Sequence, residues 1–134
     1  MNVDQIFSSF NNHDPAALAQ LYAQDATYML SGEPELLRGR KAIQKSYEVF
    51  FRAFPDMSVE KTLSMTSGDH HFAEAIARGT HTGPFATPQG EIAPTGRKIE
   101  LKMAFVAKVT PEGLIAEDRT YFDSAVMMSQ LGLD

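Results

Sequence analysis

In the twelve residues Lys98 to Val109 every odd position is apolar, and every charged residue falls at an even one. Ile99, Leu101, Met103, Phe105, Ala107 and Val109 fall on one side, and Lys98, Glu100, Lys102 and Lys108 on the other. Strand side chains point alternately to opposite faces, so this pattern describes a strand with one buried and one wet face. Period-two segments surround it. Val59, Lys61, Leu63 and Met65 belong to one strand. Ser67-Gly68-Asp69 is a turn, and His71 to His81 reads as the next strand. Pro111-Glu112-Gly113 makes a hairpin turn into a last strand, Ile115–Asp123.

The first part of the chain has a helical period instead. Val3, Ile6, Phe7 and Phe10 are spaced for one helix face. Asp14 can cap a second helix with Pro15 in its first turn, and Leu18, Leu21 and Tyr22 form its apolar side. Ala26–Leu30 reads as a first strand and 31–37 as a loop. Residues 40–54 read as a longer helix with Ile43, Tyr47, Phe50, Phe51 and Phe54 on one side, stopped by Pro55. A closing helix runs from Ser124 to about Leu131 and ends at Gly132. Helices, then hairpin-linked strands, then a helix, is an α+β order: one strongly curved antiparallel sheet wrapped over N-terminal helices, with a C-terminal helix. At 134 residues the chain is one domain, 1–134. Residues 83–96 hold three Gly and three Pro and form a loop able to act as a lid.

The composition excludes several functions. Net charge is −5 with no basic stripe, which argues against nucleic acid and anionic membranes as partners. No apolar run approaches a membrane span, and Met1-Asn2-Val3-Asp4 lacks the basic start of a signal peptide. There is no cysteine, so no thiolate nucleophile, disulfide or Cys-based metal site; this fits a reducing, cytoplasmic setting. His70 and His71 are strand neighbours pointing opposite ways and make no metal site.

The last strand carries the chemistry. Strict alternation puts Ile115, Glu117, Arg119, Tyr121 and Asp123 on one face. A polar row turned inward is costly unless paired or wetted, so it predicts the floor of a pocket. On the 71–81 strand, Ala73, Ala75, Ala77, Gly79 and His81 share a side. Small residues there make room for a packed helix or a ligand, and the concave side then brings His81 to the pocket.

Gly79-Thr80-His81-Thr82-Gly83-Pro84-Phe85, Pro94-Thr95-Gly96-Arg97, Gly113-Leu114-Ile115-Ala116-Glu117, Asp123 and Gln130-Leu131-Gly132, with Asp25-Ala26-Thr27 and Gly39-Arg40-Lys41-Ala42-Ile43, resemble the SnoaL-like polyketide cyclases. These belong to the nuclear-transport-factor-2-like superfamily. The resemblance spans nearly the whole chain. It implies a cone-shaped α+β barrel, a homodimer, and a small-molecule ligand of largely apolar, carbonyl-bearing character. It also implies a cofactor-independent cyclase, lyase or isomerase activity without metal. It carries the general acid/base of an aldol ring closure onto Asp123, and pocket polar groups onto His81, Arg119 and Tyr121. Arg119 stands where the family often has Trp or His. The ketosteroid isomerase base would fall at about Leu30, which takes no proton. The limonene epoxide hydrolase Arg-x-Asp pair is missing, because Arg78 is followed by Gly79 and Thr80.

Each candidate has a structural alternative. Asp123 precedes Ser124-Ala125-Val126 and can cap the last helix. His81 can be a loop histidine. Arg119 can bind a carboxylate or enolate, or pair with Glu117 or Asp123. Tyr121 can hold the same oxygen or sit as a rim aromatic. Tyr28 and Tyr47 read first as core aromatics and, with Met103 and Phe105, complete the substrate-binding candidates. A non-catalytic ligand-binding or dimerisation module on the same fold is the second reading.

Overall fold

The computed structural model describes residues 3–133. Met1, Asn2 and Asp134, at the ends of the expected domain, lie outside the described residues. The elements are α1 (Val3–Asn11), α2 (Pro15–Gln20), β1 (Tyr22–Leu30), β2 (Leu37–Arg38), α3 (Gly39–Ala53), β3 (Ser58–Ser67), β4 (His70–Thr80), β5 (Phe85–Thr87), β6 (Gly90–Ile92), β7 (Lys98–Val109), β8 (Ile115–Phe122) and α4 (Ser124–Gln130).

The helices form where the sequence periods place them. Asp14 caps α2 by accepting from the Ala17 N–H at 3.0 Å, and Pro15 occupies the first turn. α3 buries Ile43 and Tyr47 and stops where Pro55 removes the next donor. The main sheet has the order β2-β1-β8-β7-β4-β3. All neighbours are antiparallel except β1 and β8, which run parallel. The expected antiparallel sheet therefore has one parallel joint, and it lies in front of the site.

One sheet face buries Ala73, Ala75 and Ala77 of β4 with Ile99, Leu101, Phe105 and Ala107 of β7. The small stripe on β4 makes room for α3: a Cβ on Gly79 would stand 3.1 Å from the Cβ of Phe54. The core has two parts along this face. One joins α1, α2, β1 and the middle of the sheet around Tyr22, Leu18, Ile43 and Ile115. The other gathers Phe54, Met57, Phe85, Ile99, Met127 and Leu131 under α4. The opposite face leaves Leu63, Met65, Phe72 and Tyr121 exposed.

Two local readings differ from the sequence expectation. Tyr22 does not extend α2; the helix ends at Gln20 and Tyr22 opens β1. The 83–96 loop contains a two-stranded hairpin, β5 with β6, turning at Pro88-Gln89.

Among the described residues no helix is long and apolar enough to cross a membrane. Nor is any group of three His, Asp or Glu side chains placed to hold a metal ion.

Candidate functional site

A cleft of about 400 Å³ opens between the 31–33 loop, α3, the β5–β6 hairpin and α4. Its wall is mainly apolar, from Leu30, Val49, Phe50, Phe85, Phe122 and Met127, with Ser31, Glu33, Lys45 and Gln89 at the rim. A smaller chamber of about 50 Å³ lies further in. Leu30, Ser46, Phe50 and Phe122 line both spaces and form the throat between them. The chamber is closed by Phe10, Met57, Ala77, Leu101 and Met103, and besides Ser46 at the throat the hydroxyl side chains Tyr28, Tyr47 and Thr120 reach its wall.

Those hydroxyls lead to a buried carboxyl. Asp118, only 4% exposed, accepts from the Tyr22 hydroxyl at 2.7 Å and from the Thr120 hydroxyl at 3.0 Å. Tyr22 in turn shares a 2.7 Å hydrogen bond with the Tyr47 hydroxyl. The Tyr22, Tyr28 and Tyr47 rings pack at centroid distances of 5.9–6.4 Å. Burial pushes the Asp118 carboxyl up to about 6, against the pull of the Tyr22 and Thr120 hydrogen bonds and the Arg119 charge. Burial, with the Asp118 charge adding to it, also raises the Tyr22, Tyr28 and Tyr47 phenols above their ordinary value. They stay protonated near neutral pH. Asp118 is the member of this cluster that changes charge there.

The expected pocket floor is corrected. Ile115 faces the core, but Glu117, Arg119 and Tyr121 lie on the outer face, with Tyr121 47% exposed. The cause is a bulge. Lys108 of β7 pairs with Glu117, whereas Val109 pairs with Ile115, so Ala116 is an extra residue. An extra residue reverses the alternation beyond it. Asp118, Thr120 and Phe122 therefore take the inner face, and sequence reasoning missed Asp118. From Glu117 onward the register with β7 is continuous: Asp118 pairs with Ala107 and Thr120 with Phe105, both inward residues of β7.

Asp123 is outside the lining of the cleft and chamber. It is exposed, and its carboxylate accepts from the N–H groups of Ala125 and Val126 at 3.0 and 3.2 Å, capping α4. His81, just past the end of β4, is expected at the pocket but is fully buried and outside the chamber lining. Its ring packs on Phe54 and Phe85, and its Nδ1 accepts from the Thr95 backbone N–H at 3.2 Å. The tautomer then carries its proton on Nε2, which has no hydrogen bond of good geometry. Burial holds the imidazole below its ordinary pKa, opposed by the Gly83 backbone. With backbone bonds from His81 to Arg97 and Gly96, the residue fastens the base of the 83–96 segment. Phe105 is core, against Phe7 at 6.0 Å. Tyr28, Tyr47 and Met103 reach the chamber.

The β5–β6 hairpin is anchored on α3. The Gly83 N–H donates to the Ala53 carbonyl at 3.1 Å, Phe85 is buried beside Phe50 and Phe54, and Arg52 pairs with Glu91 at 3.2 Å on the surface.

Comparison with known proteins places this architecture. The family model described as SnoaL-like polyketide cyclase matches residues 2–131. No curated protein matches the chain in sequence. Among solved structures, IdmH of Streptomyces antibioticus, a polyketide cyclase candidate, is 29% identical with a TM-score of 0.79, covering 97% of this chain and 95% of that one. A SnoaL-like polyketide cyclase candidate from Jannaschia sp. CCS1 is 17% identical with a TM-score of 0.85, covering 98% and 90%. A hypothetical protein of Catenulispora acidiphila with a ketosteroid isomerase-like fold is 23% identical with a TM-score of 0.81, covering 98% and 92%. The chain belongs to the SnoaL-like polyketide cyclase family.

Proposed function

We propose that the protein is a cyclase-type acid/base enzyme that takes a small, largely apolar carbonyl compound into the cleft, with its carbonyl end reaching the chamber. The observation that carries this reading is the Tyr47–Tyr22–Asp118 chain, a buried titratable carboxyl tied by hydroxyls to the wall of an apolar cavity. A carbonyl oxygen held by Tyr28 or Thr120 gains charge as the neighbouring carbon gives its proton to the Tyr47 oxygen, while Tyr47 passes its own proton to Tyr22 and Tyr22 passes its own to the Asp118 carboxylate. Donors fixed in a dry site stabilise that charge more than water does. Asp118, with its carboxyl near 6, is suited to hold or release a proton at neutral pH. The acid/base role assigned by resemblance to Asp123 thus moves to Asp118. The β5–β6 hairpin shields the cleft, and the apolar throat orients the carbon skeleton. Family membership and the likeness to the polyketide cyclase candidate of Streptomyces antibioticus support this substrate class.

The second reading is a ligand-binding module without turnover, favoured by Asp118 standing behind the chamber wall rather than in it. One assay separates the two. The α-protons of 2-tetralone, a compact bicyclic ketone, exchange slowly in D₂O and are followed by NMR. Catalysis predicts accelerated exchange that is lost when Ser46→Trp plugs the throat. Binding of the ketone without acceleration supports the module, and acceleration unaffected by the plug rules out the chamber.

We also propose a homodimer through the outer sheet face. Leu63, Met65, Phe72 and Tyr121 are exposed there beside Glu74, Lys102, Arg119 and the Lys108–Glu117 pair. An apolar centre with both charge signs around it suits a two-fold, self-complementary contact. Sedimentation should show a dimer that Phe72→Glu turns into a monomer; a wild-type monomer excludes it.

A further inference from the structure

Tyr22 is the largest fully buried side chain and does not line the chamber, yet its hydroxyl bridges the group that does, Tyr47, and the carboxyl of Asp118. A phenol has a single proton to give. Whichever neighbour receives it, the other must supply its own.

We propose that Tyr22 is a positioning residue that sets the direction of the hydrogen bonds on the chamber wall according to the charge on Asp118. With Asp118 ionised, Tyr22 donates to Oδ2 and its oxygen draws the Tyr47 proton inward, so Tyr47 offers the ligand an acceptor. With Asp118 protonated, the carboxyl donates to Tyr22, Tyr22 donates to Tyr47, and Tyr47 gives its proton to the ligand oxygen. One proton taken from solvent by Asp118 reorients the chain, and no phenol ionises. This rests on the chamber being the carbonyl site.

The surroundings leave Asp118 as the control. Tyr22 and Tyr28 face it from β1 and Tyr47 from α3, all held protonated by burial. On β7 the residue opposite is Ala107. On its own strand, Arg119 points to the outer face and Thr120 donates to the other carboxylate oxygen. Thr120 also reaches the chamber and offers a competing route, which the test must separate.

The probes are 1-acetonaphthone, which only accepts hydrogen bonds, and 1-naphthol, which also donates. Each is titrated into the full chain at about pH 5 and about pH 8. The wild type should bind the ketone about fivefold tighter at the lower pH, with the naphthol trend reversed, as expected for one hydrogen bond gained or lost. In Tyr22→Phe both probes should bind with affinities that differ by less than about twofold between the two pH values, while Thr120→Val keeps the wild-type trend. A wild-type trend in Tyr22→Phe overturns the role of Tyr22 and leaves the chamber standing. Binding that Ser46→Trp does not weaken, or no binding to the wild type, overturns the chamber reading and this inference with it. If Tyr22→Phe does not fold, the wild type is read by NMR. The Tyr47 ring carbon bearing the hydroxyl should shift as the Asp118 carboxyl titrates, and a Tyr47 signal that stays still overturns the role.

Discussion

The Tyr22 hydroxyl donates to Oδ2 of Asp118 at 2.7 Å, joining residues 96 positions apart in the chain. It links the first residue of β1 to an inward position of β8, on either side of the parallel joint of the sheet. An ionised carboxylate in that place is held against its own desolvation. Such a group is better explained by chemistry than by stability.

Asp118→Asn should therefore be at least as stable as the wild type at pH 7. The folded carboxyl titrates at about 6, above its ordinary 3.8. Between these values the folded state binds more protons than the unfolded chain, so stability falls as pH rises through the window. A shift of that size corresponds to a penalty of ~3 kcal/mol, present in full above the folded pKa and absent below the unfolded one. Urea unfolding at neutral pH and near pH 4 should show the advantage of Asp118→Asn shrinking on acidification. Asp118→Ala, which removes the acceptor shared by the Tyr22 and Thr120 hydroxyls and leaves a cavity, should instead lose ~2–4 kcal/mol.

Asp123→Ala should destabilise the fold by ~1 kcal/mol through loss of the α4 cap. Asp123→Ser should recover most of it, because a serine side chain also accepts from the first-turn N–H groups. Thermal unfolding of the two variants checks this.

Gly83→Ala should loosen the β5–β6 hairpin. A Cβ at this position would stand 1.9 Å from the Arg52 carbonyl oxygen, so backbone must move. The expected loss is ~2 kcal/mol or more. Hydrogen exchange should speed up in β5 and β6, with the main sheet protected as before.

His81 gives the opposite pH trend to Asp118. Its folded pKa is depressed, so the unfolded chain binds the extra proton and stability drops as pH falls below about 6.5. His81→Gln keeps an acceptor for the Thr95 N–H and should flatten that acid limb in urea unfolding measured between pH 5 and pH 7.

Much of this was legible in the sequence. The alternation at Lys98–Val109 marks the bounds of β7, and the Asp14-Pro15 pair marks the start of α2. Pattern reading failed where one residue changes the phase. Counting inward from Ile115 by twos sends Arg119 and Tyr121 into the core; the bulge at Ala116 sends Asp118 and Thr120 there instead. A single strand does not reveal its own bulge, because the extra residue is defined by the partner. Tyr22 was hidden because its spacing from Leu18 suits a helix, whereas its backbone pairs across to Ile115. The β5–β6 hairpin was hidden because Gly and Pro around it also suit an irregular loop.

We propose Asp118, not Asp123, as the acid/base group behind the chamber wall. The most direct measurement is the 2-tetralone exchange rate in Asp118→Asn and Asp123→Asn, compared with wild type. Asp118→Asn should lose on the order of 100-fold or more of the acceleration, the usual range for a lost acid/base group. Asp123→Asn should stay within about threefold, because it touches neither the chamber nor its hydroxyls. An Asp118→Asn variant at wild-type rate, with Asp123→Asn inactive, would contradict the assignment.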